Sequence, residues 1–177
     1  YHLDRFVCTQ TIPMSLEGIP AFYIHSMLGT PNDHAQVKHR GMNRAINRHR
    51  WDYPTLNARL DDHTSTQSKV LAAVSDRLRI RAEQTAFHPN ATQFTMPLDD
   101  SVFGVWRQSL DRSQSIFALH NISNQTVTLP HLSMNLIEDE LWFDLISGDI
   151  IEMDQESLTL KPYQCRWITN RGRITDA

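Results

Sequence analysis

The fold of this chain is decided by the stretch Gly18-Ile19-Pro20-Ala21-Phe22-Tyr23-Ile24-His25-Ser26. Its centre, from Ala21 to Ile24, is a continuous apolar run behind a Gly-Ile-Pro step, which favours a strand that is covered on both faces. The segment that follows, residues 25–50, is polar and charged, and it is too long to be a simple connector. Because α/β folds place ligand sites in the loops that follow their strands, the sequence predicts a buried strand and a functional loop.

Helical patterns lie on both sides of this strand and loop. Residues from about Leu3 to Glu17 alternate in a helical rhythm, with Pro13 predicting a kink or an early stop. A helix entry follows at residues 52–55. A longer amphipathic helix is predicted from Thr64–Thr66 to about Gln84, because Val70, Leu71, Val74 and Leu78 recur on one face.

Beyond residue 90 the apolar period changes from helical to alternating, with turn residues between short apolar runs. This pattern predicts an all-β, antiparallel sandwich, with the domain boundary between Phe87 and Ala91. The predicted strands are 93–98, 102–109, 115–122, 126–129, 140–145, 150–152, 157–160 and 165–169.

Composition narrows the classes of function. With 177 residues and a net charge of −3, the chain has no basic surface for a nucleic acid. No apolar run approaches the ~20 residues that span a membrane. The two cysteines, Cys8 and Cys165, lie in different predicted elements and are expected to be buried free thiols, which is consistent with a reducing cytoplasm.

The strand and loop motifs resemble the end of the catalytic barrel in the α-amylase family of glycoside hydrolases. They are most similar to the sucrose phosphorylase-like branch, in which a GIPAxYxHS strand leads into a G-x-x-ND loop and an NR-x-INR segment. Here these motifs are residues 18–26, Gly29 with Asn32 and Asp33, and Asn43 to Arg48. Residues 160–167 resemble the last strand of that family's C-terminal domain.

The resemblance implies an α+β fold in two parts. Residues 1–90 would form the last βα unit of a (β/α)8 barrel, and residues 91–177 the β-sandwich C-terminal domain. A whole barrel takes about 250 residues, so we expect this chain to be the C-terminal portion of a longer enzyme. A homodimer through the surface that faces the rest of the barrel is left open.

The resemblance also implies an activity for the parent enzyme. A retaining α-glucosyl phosphorylase passes glucose from sucrose or a related α-glucoside to inorganic phosphate and releases α-glucose 1-phosphate, without a cofactor. Such an enzyme needs two carboxylates roughly 5 Å apart. In the family these lie on earlier barrel strands, so we expect no catalytic residue in this chain and no turnover by the chain alone.

Four residues are candidates for binding the sugar. Arg44, the first arginine of the R-x-INR motif, is implied to bind sugar hydroxyls, because a guanidinium offers a rigid fork of donors. Asn32 and Asp33 either line the same pocket or form an Asx turn after Pro31. His25 either lines the floor of the pocket or is a hydrogen-bonded core histidine.

Two other readings have weaker support in the sequence. His34, His39 and His49 share the loop, but their spacing is not that of a zinc site, so no metal is expected. Trp106 and Trp167 alternate with apolar neighbours and are expected to pack in the core. The alternative function is a non-catalytic β-sandwich module that binds carbohydrate or a protein partner, which would require exposed aromatic residues on one face of a sheet.

Overall fold

The structure is a computed structural model that describes residues 2–134, 136, 141–152 and 156–171. The chain packs as two compact units. One unit is Ala21–Asp76, and the other combines the residues up to Pro20 with those from Arg77 onward. The units therefore divide the chain at other points than the boundary predicted between Phe87 and Ala91, because the N-terminal helix packs with the sheet. The domain division at residue 90 stays a prediction about the longer enzyme.

Five α-helices occupy the first half of the described chain. The predicted N-terminal helix is confirmed and continues through Pro13. The helix after Asp52 begins as predicted, since the Asp52 carboxylate accepts the N–H of Thr55 at 3.2 Å and caps it. Their bounds are α1 Leu3–Ser15, α2 Ile24–Met27, α3 His34–Arg40, α4 Tyr53–Asp61 and α5 Thr66–Ala82, with a 3₁₀ helix at Asn43–Asn47.

The strand predicted at Ala21 to Ile24 is wrong: Ala21–Tyr23 has no regular structure, and Ile24 begins α2. A strand needs a neighbour for its backbone N–H and C=O groups, and no described strand pairs with this segment. The chain satisfies these groups locally instead. The N–H groups of Ser26 and Met27 donate to the carbonyl of Tyr23 at 2.9 and 3.2 Å, which closes a helical turn.

The strands predicted beyond residue 90 are confirmed within the described residues, and the strands that pair are antiparallel; residue 140, the predicted start of one strand, lies outside the described residues. A six-stranded sheet has the order β1-β2-β3-β8-β5-β6, and β4 pairs with β7 in a second, two-stranded sheet. The bounds are β1 Thr92–Thr95, β2 Val102–Gln108, β3 Ser115–Asn121, β4 Val127–Pro130, β5 Trp142–Asp144, β6 Ile150–Ile151, β7 Ser157–Leu160 and β8 Cys165–Thr169.

The two sheets share one hydrophobic core. Phe117 and Leu119 of β3 and Ile168 of β8 contribute from the large sheet, and Leu129 and Leu160 contribute from the small one. All five side chains are buried. The alternation of apolar and polar residues in the sequence therefore arises because one face of each sheet packs against this core.

The opposite face of β3 and β8 packs against α1 through buried polar groups. The Ser15 hydroxyl lies 2.9 Å from His120 Nε2 and accepts a hydrogen bond from Trp167 Nε1 at 2.9 Å. His120 Nδ1 lies 3.0 Å from the Phe103 carbonyl. Burial lowers the pKa of His120 to about 4. The imidazole is therefore neutral, carries its proton on Nδ1 towards Phe103, and accepts from Ser15. Trp167 is fully buried, which confirms its predicted place in the core.

Both cysteines lie in this same layer and are buried free cysteines, as predicted. Cys8 Sγ lies 3.6 Å from the carbonyl of Asn121. The hydrogen bond with Cys8 and burial both raise the pKa of Cys165. Cys165 is therefore a neutral thiol that packs as a small apolar residue.

Arg107 of β2 is completely buried and holds the chain around it by its guanidinium. It donates to the carbonyls of Ser15, His88 and Ala91 at 3.1, 2.9 and 3.3 Å. Burial lowers its pKa to about 10, still well above neutrality. Because buried carbonyls need donors, this one charged side chain joins the end of α1 to the start of the sheet.

Asn121 fastens the other end of β3. Its amide nitrogen donates to the carbonyls of Gln125, Leu160 and Lys161 at 2.6, 3.2 and 2.9 Å. Its amide oxygen accepts from the N–H of Ser123 at 2.9 Å. These four contacts join the end of β3 to the end of β7 and to the neighbouring loops, and the residue is fully buried.

Candidate functional site

Residues 25–50, expected as one long loop, fold into α2, α3 and the 3₁₀ helix Asn43–Asn47. Asp33 begins α3, because its carboxylate accepts the N–H of Gln36 at 2.9 Å. Gly41 ends α3 with φ 63°, a left-handed conformation that glycine adopts without strain. The N–H of Asp33 donates to the carbonyl of Ile46 at 2.7 Å, which ties the start of α3 to the 3₁₀ helix.

The second carboxylate oxygen of Asp33 is engaged by a histidine. His49 Nδ1 lies 3.0 Å from Asp33 Oδ2. The hydrogen bond from His49, followed by that from the Gln36 N–H, lowers the pKa of Asp33. Asp33 is thus an ionised carboxylate with a fixed orientation at neutral pH, and it both caps α3 and contacts His49.

Thr30 joins the remaining polar side chains of this region. Its hydroxyl accepts from Trp51 Nε1 at 2.9 Å and lies 3.2 Å from His25 Nδ1. The rings of His49 and Trp51 meet edge to face with 4.7 Å between centroids. His25, Thr30, Trp51, His49 and Asp33 therefore form one continuous chain of contacts, which we call the loop cluster.

Arg44 lies on the 3₁₀ helix with its side chain exposed. Within the described residues its guanidinium makes no hydrogen bond or ion pair. The helix itself is held at Ile46 by Asp33 and at Asn47, whose carbonyl accepts the Tyr23 hydroxyl at 3.1 Å. The Arg44 guanidinium is thus available to a ligand, while the backbone that carries it is fixed by hydrogen bonds, which is an arrangement suited to ligand binding.

The structure thus brings two of the four predicted site residues, His25 and Asp33, into the loop cluster. Asn32 precedes Asp33 and is exposed, with no hydrogen bond to its side chain in the described part of the chain. Arg44 joins them through the backbone link at Ile46. Their roles in binding stay predictions.

Sequence reasoning missed Thr30, Trp51 and the pairing of His49 with Asp33. His49 was considered only as a metal ligand, and across residues 2–134, 136, 141–152 and 156–171 no group of three metal-ligating side chains forms. The usable signal was the order His49-Arg50-Trp51 directly after the R-x-INR motif. It indicates a histidine and an aromatic ring beside the proposed sugar ligand.

In the part of the chain that the structure describes, no helix is both long and apolar enough to cross a membrane. α5, the longest helix, has 17 residues and carries charged side chains.

No protein-family profile matches this chain. Curated proteins do match it, over nearly its whole length. It is 37% identical over 166 residues to a glucosylglycerate phosphorylase of Allomeiothermus silvanus, covering 94% of this chain and 27% of that protein. Proteins described by the same words match from Spirochaeta thermophila, at 32% identity over 95% of the chain, and from Escherichia coli, at 30% over 93%. The chain spans between 27% and 31% of the length of these curated relatives.

Solved structures show the same fold at low sequence identity. A variant of AmyP in complex with maltotriose superposes with a TM-score of 0.72 at 14% identity, covering 96% of this chain and 35% of that one. An α-amylase from Geobacillus thermoleovorans gives 0.71 at 12% identity, covering 94% and 33%. The trehalose-6-phosphate hydrolase of Bacillus licheniformis gives 0.68 at 15% identity, covering 94% and 38%.

These matches confirm the resemblance on which the sequence analysis rests. In sequence the chain is similar to part of the glucosylglycerate phosphorylases, and in fold it is similar to α-amylase-family enzymes. Its α+β architecture with an antiparallel sheet matches the C-terminal region of α-amylase-family enzymes.

Proposed function

We propose that this chain supplies the sugar-binding loop and the β-sandwich domain of a retaining phosphorylase that acts on glucosylglycerate. The parent enzyme transfers the glucosyl group to inorganic phosphate and releases glycerate and α-glucose 1-phosphate. The observation that carries the proposal is the match to three glucosylglycerate phosphorylases over at least 93% of the chain.

The loop cluster supports a role in holding the glucosyl group. Arg44 offers a guanidinium with two parallel donors for vicinal hydroxyls, and its helix is fixed by Asp33. Binding energy of this kind orients the sugar for attack, since a misplaced substrate loses rate even when the reacting groups are intact. The carboxylates of the double displacement lie outside this chain in the proposal.

We propose glucosylglycerate and not sucrose as the substrate only because the curated relatives are described as glucosylglycerate phosphorylases. Within the proposal, the two substrates share the glucosyl group that Arg44 contacts and differ in the leaving group. Arg44 is therefore proposed to serve either substrate, and residues beyond this chain would choose between them.

We also propose a cytoplasmic location, which is consistent with two buried free thiols. The homodimer that the sequence left open stays a prediction. Light scattering on the full-length protein would test it directly.

The test of function uses the full-length protein that contains this chain. Purified enzyme is mixed with inorganic phosphate and either glucosylglycerate or sucrose, and α-glucose 1-phosphate is measured. We expect product from glucosylglycerate with a kcat/KM at least about 10-fold above that for sucrose, a difference of about 1.4 kcal/mol in transition-state binding.

One control is needed to interpret the result. Omitting phosphate separates phosphorolysis from hydrolysis. Phosphorolysis stops without phosphate, whereas hydrolysis continues to release free glucose at the same rate. A preference for sucrose, or glucose release that does not depend on phosphate, would contradict the proposed function.

A further inference from the structure

A cavity of about 470 Å³ opens over the β1, β2 and β3 part of the six-stranded sheet. This volume lies within the range of pockets that hold small molecules. Its lining combines aromatic and polar side chains of the described residues, and none of these lining residues is acidic. The loop cluster contributes no residue to it.

The floor of the cavity is a ladder of aromatic rings set by strand register. Phe94 of β1 lies opposite Trp106 of β2, and Trp106 lies opposite Phe117 of β3. The ring centroids are 4.9 Å apart for the first pair and 5.9 Å for the second. Trp142 continues the row at 5.6 Å from Phe117.

The outer end of this ladder is open. β1 is the edge strand of the sheet, so the Phe94 ring has a ladder partner on one side alone. Its side chain is 46% exposed, whereas Phe117 and Trp142 at the other end are buried. An exposed aromatic residue beside a cavity is the feature that the alternative, carbohydrate-binding reading of the sequence required.

A turn that is held by side-chain hydrogen bonds carries Arg112, which is the one charged residue among the described residues of the lining. The carboxylate of Asp111 accepts from the Ser109 hydroxyl at 2.7 Å and from the Ser113 N–H and hydroxyl at 3.1 and 2.9 Å. Arg112 itself has φ 60°, which is unusual for a residue with a side chain. The guanidinium makes no hydrogen bond or ion pair among the described residues, and the carboxylate next to it is already occupied.

The polar lining also includes the amide side chains of Gln108 and Asn170 and the hydroxyls of Thr95, Ser115 and Ser133. Asn170 accepts the N–H of Ser115 at 2.9 Å through its oxygen, so its NH₂ group is left as a donor. The lining therefore combines an apolar floor, amide donors and one cation. That set complements a ring with an apolar face and an anionic substituent.

We propose that this cavity binds a pyranoside that carries an acidic substituent, with the sugar ring against Phe94 and the acidic group on Arg112. The apolar C–H face of a pyranose packs on an aromatic ring, while its hydroxyls accept and donate at the amides. The proposal does not depend on the reaction proposed above, because it concerns binding alone.

The test is calorimetric titration of the 177-residue chain with two matched sugars. Glucosylglycerate carries a carboxylate, and glucosylglycerol is its neutral counterpart. We expect saturable binding of glucosylglycerate and at least about 5-fold weaker binding of glucosylglycerol, since a charge-assisted contact is lost.

Three variants locate the site. Arg112→Gly removes the guanidinium and places glycine at a positive φ, so the fold is not weakened, and it should reduce the affinity for glucosylglycerate to that for glucosylglycerol. Phe94→Ala should weaken the binding of both sugars. Leu110→Ala, in the same turn and 66% exposed, is the control and should bind as the wild type does.

Each remaining outcome overturns the proposal. It is wrong if neither sugar binds saturably, if both bind equally, or if Arg112→Gly keeps the preference for the acidic sugar. A parallel loss of phosphorylase activity in the full-length enzyme is not required, so failure here leaves the proposed reaction standing.

Discussion

Asp33 and His49 are 16 positions apart and meet at 3.0 Å between Oδ2 and Nδ1. Together with the Asp33 N–H on the Ile46 carbonyl, this contact ties Asp33 to the end of the 3₁₀ helix Asn43–Asn47 and to the residue two positions beyond it. Arg44 lies in the segment that these two contacts close. The Asp33 carboxylate thus caps α3 and orients a histidine, while the Asp33 N–H holds the backbone that presents the proposed sugar ligand.

Arg44→Lys in the full-length enzyme tests the ligand itself. The substitution keeps the positive charge and loses the forked pair of donors. Loss of one charge-assisted contact of roughly 1.5–3 kcal/mol should lower kcat/KM for the glucosyl donor by about 10- to 150-fold. Thermal stability should change little, because the side chain is exposed. Arg40→Lys, outside the motif, should be near neutral, and equal effects from both would make the loop arginines structural.

His49→Gln tests the contact between His49 and Asp33. Without the imidazole the segment after the 3₁₀ helix loses its tie to the Asp33 carboxylate, while the links at Ile46 and Asn47 remain. Arg44 is then oriented less well. We expect kcat/KM to fall by about 2- to 10-fold, the effect of one ordinary hydrogen bond. The amide of Gln36 should keep its protection in hydrogen exchange, because the cap by Asp33 Oδ1 remains. His39→Gln, exposed on α3, is the matched control.

Asp33→Asn complements this variant. Asparagine still caps a helix but cannot form an ion pair. Because the pKa of Asp33 is lowered in the folded chain, its contribution to stability is present above the unfolded pKa of about 3.9 and is lost as the pH falls further. The difference in urea midpoint between wild type and Asp33→Asn should therefore shrink on acidification below about pH 4. A constant difference would show that the charge of Asp33 has no part in stability.

His120 predicts a second pH dependence, with the same sign but at higher pH. In the unfolded chain its pKa is about 6.5, whereas burial lowers it to about 4 in the fold. The unfolded state takes up the proton first, so stability is full above about pH 6.5 and is lost between about pH 6.5 and 4, by up to about 1.4 kcal/mol per pH unit. Urea unfolding of the 177-residue chain across this range measures the slope. His120→Gln should flatten it, and an unchanged slope would assign it to other groups.

Arg107→Lys tests the buried guanidinium. Lysine cannot reach the carbonyls of Ser15, His88 and Ala91 together, so buried acceptors lose their donors. We expect the free energy of unfolding to fall by about 2–4 kcal/mol. Arg5→Lys, exposed on α1, should change it by less than about 0.5 kcal/mol. Similar values for both would mean that water replaces the lost contacts.

The alternating pattern located the strands well because burial on one face sets it. The strands Ser157–Leu160 and Cys165–Thr169 have the predicted bounds. The same reasoning failed at Ala21 to Ile24, since an apolar run reports suitability for burial and carries no information about a pairing partner. Arg107 was missed for a related reason: in an alternating strand a charged residue is expected on the exposed side.

The site was predictable in part. Motif spacing selected Asp33 and Arg44, but the partner of Asp33 depends on how residues 34–48 fold back. Trp106 was expected in the core, and it lies half-buried over the cavity. The alternating pattern placed Trp106 on the face of the large sheet that packs in the core. The length of the second sheet, however, decides which part of that face is left uncovered.

The four-way clamp at Asn121 has a consequence for producing this protein. Asn121-Ile122-Ser123 is an acceptor triplet for N-linked glycans. In the folded chain the amide nitrogen that would carry the glycan already donates to three carbonyls. Modification can therefore occur only before folding, and it would stop the end of β3 from closing on its loops. We therefore expect a lower yield of folded protein from a secretory host than from a bacterial cytosol, in which the triplet is not modified.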